Sequence, residues 1–170
     1  MIVSNKNINE SLGSIDIFIC SSGFEPRTKS LSKSINRKAI DYSLAFHMEE
    51  TYAVSYKNLE SIKANLNQLE IIKYPKNRPL ETFDLFYNKI VSLVQNNTKN
   101  IVVDITTFTR EVLLILLKIL SLEECCKKAN IKLVYTPAEK YPDTWLTKGI
   151  RDIRSIYGYS GLNHPSKKCF

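Results

Sequence analysis

Apolar residues fall along this chain in short runs, separated by stretches with helical spacing. Ile15-Asp-Ile-Phe-Ile-Cys20 is β-rich and closes on Ser21-Ser22-Gly23, the pattern of a strand that ends in a turn. Pro26 suits the first turn of a helix, and Leu31 and Ile35 lie four apart on one face of it. Ile40, Tyr42, Leu44 and Phe46 alternate with Asp41, Ser43 and Ala45, which predicts a second strand with period two. From Tyr56 to Leu69 the positions Leu59, Ile62, Leu66 and Leu69 predict a helix. Glu70 to Tyr74 is a third, short strand stopped by Pro75, and Phe83, Leu85, Phe86, Ile90 and Val94 mark a long amphipathic helix. Asn100-Ile-Val-Val-Asp-Ile105 has no alternation, as expected of a parallel strand covered on both faces. A helix apolar almost all round follows from about Thr109 to Leu122, and Ile131 to Tyr135 is the fifth strand.

Strands separated by helical stretches require right-handed crossovers in a mainly parallel sheet. The fold class is therefore α/β: an open Rossmann-like sandwich of five or more strands with helices on both faces. At 170 residues the chain reads as a single domain over 1–170. Its last part, 136–170, differs from the rest in its Pro137, Pro142, Gly149, Gly158, Gly161 and Pro165. Ile153, Ile156 and Tyr157 in it predict one more strand or a short helix.

Composition narrows the picture. A 44% hydrophobic and 24% charged chain is globular rather than disordered. The longest apolar run, Val112 to Leu117, is far below the roughly 20 residues that span a bilayer, so no membrane association is expected. Met1 to Glu10 is polar and lacks the apolar core of a signal peptide, which makes the cytoplasm the expected location. Cys20, Cys125, Cys126 and Cys169 have neither disulfide-framework nor zinc-site spacing, and His47 and His164 add no cluster. Reduced thiols and no metal are the expectation, and no cofactor is implied. The formal charge of +7 favours anionic company, but the lysines are scattered, so a nucleic-acid footprint is not favoured.

Open parallel sheets bind ligands beyond the carboxyl ends of their strands. That rule nominates three loops: Ser21 to Thr28 after the first strand, Asp104 to Glu111 after the fourth, and Tyr135 to Tyr141 after the fifth. In the first, Gly23 permits a tight turn or close approach, while Glu25 and Arg27 either contact a ligand or form a local ion pair. In the second, Thr106, Thr107 or Thr109 can cap the next helix, and Arg110 adds a charge able to grip phosphate, unless it lies solvated or pairs with Glu25. In the third, Glu139, Lys140 and Tyr141 contact a ligand or decorate a turn. Trp145 reads as an apolar clasp, Arg151 and Arg154 as solvated charges, and His47 as a structural or exposed residue. The chain lacks G-x-G-x-x-G, the P-loop pattern, G-x-S-x-G and H-E-x-x-H.

The segment Asn100-Ile-Val-Val-Asp-Ile-Thr-Thr-Phe-Thr-Arg-Glu-Val-Leu-Leu-Ile115 resembles the strand–loop–helix of CARF-type domains, the Rossmann-like sensors of cyclic oligonucleotides in prokaryotic immunity. Phe108 stands where those domains usually have a small Gly, and Arg110 where Lys is common. The resemblance implies that Asp104, Thr106, Thr107, Thr109 and Arg110 line a nucleotide site whose wall is Ser21, Ser22 and Gly23. It also implies a homodimer or a larger assembly, because CARF-type domains bind across dimer interfaces. Three functions follow as expectations. The first is a sensor or regulatory module for a nucleotide or related phosphorylated small molecule, in an antiviral defence or stress system and paired with an effector protein. The second is an enzyme acting on a nucleotide or nucleoside by glycosidic cleavage or transfer, with Asp104 or Glu25 as catalytic group. The third is a non-catalytic scaffold subunit.

Overall fold

The computed structural model describes residues 7–94, 98–122, 125, 129–139, 155–156 and 158–159. Five strands form one sheet: β1 (Ile15–Ser21), β2 (Ile40–Met48), β3 (Leu69–Tyr74), β4 (Asn100–Asp104) and β5 (Asn130–Val134). Their spatial order is β3-β2-β1-β4-β5, and every neighbouring pair is parallel. The result is an open α/β sandwich with helices on both faces.

The helices are α1 (Ile8–Leu12), α2 (Ser30–Ser34), α3 (Ala53–Asn65), α4 (Pro79–Leu93) and α5 (Arg110–Leu120). Single 3₁₀ turns at Pro26–Lys29 and Arg37–Ala39 flank α2. Successive side chains of the inner strands point to opposite faces. Ile17, Ile19, Leu44, Phe46, Ile101 and Val103 join the core under α4 and α5. Phe18, Cys20, Ala45 and Val102 join a second core with Leu31 of α2 and Leu59 and Ile62 of α3. The buried residues of α5, Val112, Ile115, Leu116, Ile119 and Leu120, keep strict helical spacing. On α4 the fully buried Phe86 stacks on Phe46 with ring centroids 3.6 Å apart.

Several local readings change. The alternation expected of β2 stops at Tyr42: Ser43 through His47 are all buried, because β2 is an interior strand with helices above and below. Leu69 opens β3 instead of closing the preceding helix, which starts earlier, at Ala53. The helix after Pro26 is divided into a 3₁₀ turn and the short α2, with Leu31 and Ile35 buried as their spacing predicts. Helix α1, inside a polar stretch, has no counterpart among the expected elements; only Ile8 and Leu12 of its side chains are buried. In the Pro/Gly-rich segment, Gly158 adopts φ +86° beside Lys118 of α5, in a turn where the Tyr159 N–H donates to the Ile156 carbonyl. The expected element around Ile153 to Tyr157 lies mostly outside the described residues.

Candidate functional site

The strand order changes direction between β1 and β4, since β1 leads left to β2 while β4 leads right to β5. Loops at such a point diverge and leave a crevice at the carboxyl edge of the sheet. Here the two loops touch. A Cβ added to Gly23 would stand 2.6 Å from the Thr107 Cβ, so only glycine lets the loops approach this closely. The Thr28 hydroxyl accepts from the Gly23 N–H at 3.0 Å and donates to the Ser21 carbonyl at 2.6 Å. Thr107 Oγ1 completes the cluster, 2.8 Å from Thr28 Oγ1 and 3.2 Å from the Ser21 carbonyl. On the α3 side, Asn58 Nδ2 donates to the Gly23 carbonyl at 2.9 Å and to that of Glu25 at 3.3 Å.

The loop after β5 is tied to both. Arg27 grips Glu25 through Nε at 2.6 Å and Nη2 at 3.2 Å. Its Nη1 donates to the Tyr135 hydroxyl at 2.9 Å and to the Thr136 carbonyl at 3.0 Å. The guanidinium also lies 5.4 Å from the centre of the Tyr135 ring. The Glu25 hydrogen bond is the main reason that Arg27 is held even more firmly protonated than usual. The local ion pair is thus formed, and it is anchored across the molecule. Beside it runs a cleft of about 610 Å³, bordered by Glu25, Arg27, Ser30, Ser34 and Thr136.

Asp104 is 3% exposed at the end of β4. Its Oδ1 accepts the Thr106 N–H at 3.1 Å and the Thr106 hydroxyl, whose oxygen in turn accepts the Thr136 N–H at 3.0 Å. Burial pushes the Asp104 carboxyl up to about 6, against the opposing pull of the Thr106 bonds and the Arg27 charge. Burial, then the Asp104 charge, pushes the neighbouring Cys20 thiol far up.

Thr106, Thr107 and Thr109 do not cap α5 as the sequence suggests. Thr109 occupies the N-cap position without a side-chain hydrogen bond, and the other two hydroxyls are committed to the loop contacts above. Phe108, at the position expected to be small, is buried and packs near Phe46 with centroids 6.2 Å apart, pinning the turn to the core. Thr109 and Arg110 are exposed, and Arg110 has no hydrogen bond or ion pair among the described residues. The expected alternative pairing of Arg110 with Glu25 does not occur, because Arg27 takes both carboxylate oxygens.

His47 is fully buried, and its Nδ1 lies 2.6 Å from Ser22 Oγ. Burial, helped by Lys73 and opposed by Glu49, lowers its pKa and keeps the ring neutral. Its Nε2 has no partner among the described residues. In the sequence His47 stands alone, and the pair with Ser22 does not show there. The signal was the strand register: Ser21 faces Phe46, so Ser22 falls opposite His47 once β1 and β2 are known to be neighbours. Thr28 and Asn58 had no such signal. Glu139 is exposed, whereas Lys140, Tyr141, Trp145, Arg151 and Arg154 lie outside the described residues.

Among the described residues no group of three or more His, Cys, Asp or Glu is placed to hold a metal ion, and no helix is long and apolar enough to cross a membrane. The chain matches no protein-family model and no curated protein sequence. Of the expected resemblance, the structure shows a generic parallel Rossmann-like fold.

Proposed function

We propose that this protein is a binding module for a nucleotide or a related phosphorylated small molecule, seated on the carboxyl edge of the sheet where the loops after β1 and β4 meet. The observation that carries this reading is the contrast along that edge between a rigid polar wall and a cation with no partner among the described residues. Ser21, Ser22 and Gly23 are fixed by Thr28, Thr107, His47 and Asn58, so the wall is pre-organised. Arg110 stands exposed at the start of an 11-residue helix that no side chain caps. Uncapped N–H groups and a guanidinium together suit a phosphate. Thr106, Thr107 and Thr109 complete the turn, and Glu25 with Arg27 close the far side. By the CARF resemblance, occupancy would be read by a second copy or an effector protein in a prokaryotic defence or stress system.

The test is native mass spectrometry of the purified protein, followed by thermal-shift titration with a panel of nucleotides and cyclic oligonucleotides. A retained or added phosphorylated mass that is absent in Arg110→Ala supports the reading. A clean apo mass with no shift from any member of the panel moves the protein to the scaffold role.

One observation favours a second reading, an enzyme that cleaves or transfers at a glycosidic bond. A buried carboxyl with a pKa of about 6 is matched to proton transfer near neutral pH. Asp104 fits that role, whereas Glu25 has both oxygens committed to Arg27. Nucleotide turnover lost in Asp104→Asn, with binding retained, would select the enzyme.

A further inference from the structure

We infer that Phe24 and Tyr52 form a stacking platform for the base of the bound nucleotide, an inference that rests on the reading above and names the ligand's second point of attachment. Phe24 directly follows Gly23, whose contact with Thr107 holds the loop against the loop after β4. Phe24 is nevertheless 56% exposed, and Tyr52, at the start of α3, is 68% exposed. The two rings meet edge to face, with centroids 5.6 Å apart and planes at 72°. In this geometry each ring fixes the other while ring face remains open to solvent. The backbone beneath is rigid as well, because Asn58 of α3 holds the carbonyls of Gly23 and Glu25. α3 and the first loop therefore present the rings as one unit.

The occupant is a planar aromatic heterocycle carrying an anion. A rigid open ring face binds flat π systems without regard to their hydrogen-bonding edge. Arg110, which follows the carboxyl end of β4 as Phe24 and Tyr52 follow those of β1 and β2, is a cation with no partner among the described residues, and the chain as a whole carries a charge of +7. A nucleotide has both parts, with its phosphate at the start of α5 and its base on Phe24 and Tyr52. Sugar phosphates would engage only the first.

The test compares AMP with ribose 5-phosphate by isothermal titration at fixed salt, on the wild type, Phe24→Ala, Tyr52→Ala and Phe24→Tyr. AMP should bind the wild type at least tenfold more tightly than ribose 5-phosphate, and Phe24→Ala or Tyr52→Ala should remove about tenfold of AMP affinity. Ribose 5-phosphate affinity should not move, and Phe24→Tyr should behave as wild type. Equal wild-type affinity for the two probes overturns the platform while leaving the phosphate site standing. So does a Phe24→Ala variant that keeps its AMP affinity but changes its oligomeric state, which would assign the rings to protein contact. If neither probe binds the wild type, the platform and the phosphorylated-ligand reading fall together.

Discussion

The two arginines of the carboxyl edge show how differently one residue type can be used. Arg27 spends four hydrogen bonds on Glu25, Tyr135 and Thr136, and so joins the loop after β1 to the loop after β5. Arg110, exposed at the start of α5, has none among the described residues. Around Arg27 the loops are tied together beside the cleft: Thr136 is held from a second side by Thr106, which is itself held by Asp104. Around Arg110 the corner is open, with an exposed Thr109 that makes no cap. A guanidinium fully engaged by its own protein stabilises the fold and has little left for a ligand. The idle one is the candidate grip.

Four substitutions grade that contrast by their effect on stability. The largest concerns Asp104. A folded carboxyl raised from 3.8 to about 6 contributes stability that is fully present below about 3.8 and is lost as the pH rises through about 6. Asp104→Asn keeps an acceptor for Thr106 and removes the charge. It should flatten the profile between pH 4 and 7 and add up to about 3 kcal/mol at pH 7 in urea unfolding. Next is Gly23→Ala, which forces a methyl against Thr107 and should cost about 2 kcal/mol by prying the β1 and β4 loops apart. Arg27→Ala should cost about 1–2 kcal/mol, read as a lowered urea midpoint with an unchanged slope. Lysine should not rescue it, because an ammonium cannot reproduce the fork on Glu25 together with the bonds to Tyr135 and Thr136. Arg110→Ala should change stability by less than about 0.5 kcal/mol in the same measurement.

The fold was legible because its strong signals are local. Ile101 to Val103 had to be an interior strand, whereas the helix that reads as apolar almost all round buries one stripe, Val112, Ile115, Leu116, Ile119 and Leu120, and leaves Leu113, Leu114 and Leu117 half-buried. The rule of the carboxyl edge also nominated three loops that the chain does bring into contact. What stayed hidden is partner choice, which depends on tertiary geometry. Arg27 and Arg110 were equivalent in the sequence, and Thr106, Thr107 and Thr109 were equally good caps. Their hydroxyls went instead to Asp104, Ser21 and solvent, a division set by how β1 and β4 sit side by side. His47 needed the β1–β2 register before Ser22 became visible as its partner. Helix α1 escaped because five residues with two buried side chains carry too little periodicity to stand out.

The most direct measurement is a paired titration of AMP into Arg110→Ala and Arg27→Ala, with the melting temperature of each recorded alongside. The account predicts that Arg110→Ala loses about ten- to a hundredfold in affinity at an unchanged melting temperature. Arg27→Ala should melt several degrees lower and keep most of its affinity at a temperature where it is folded. The reverse pattern, with affinity abolished by Arg27→Ala and untouched by Arg110→Ala, would contradict it and move the site into the cleft beside Arg27.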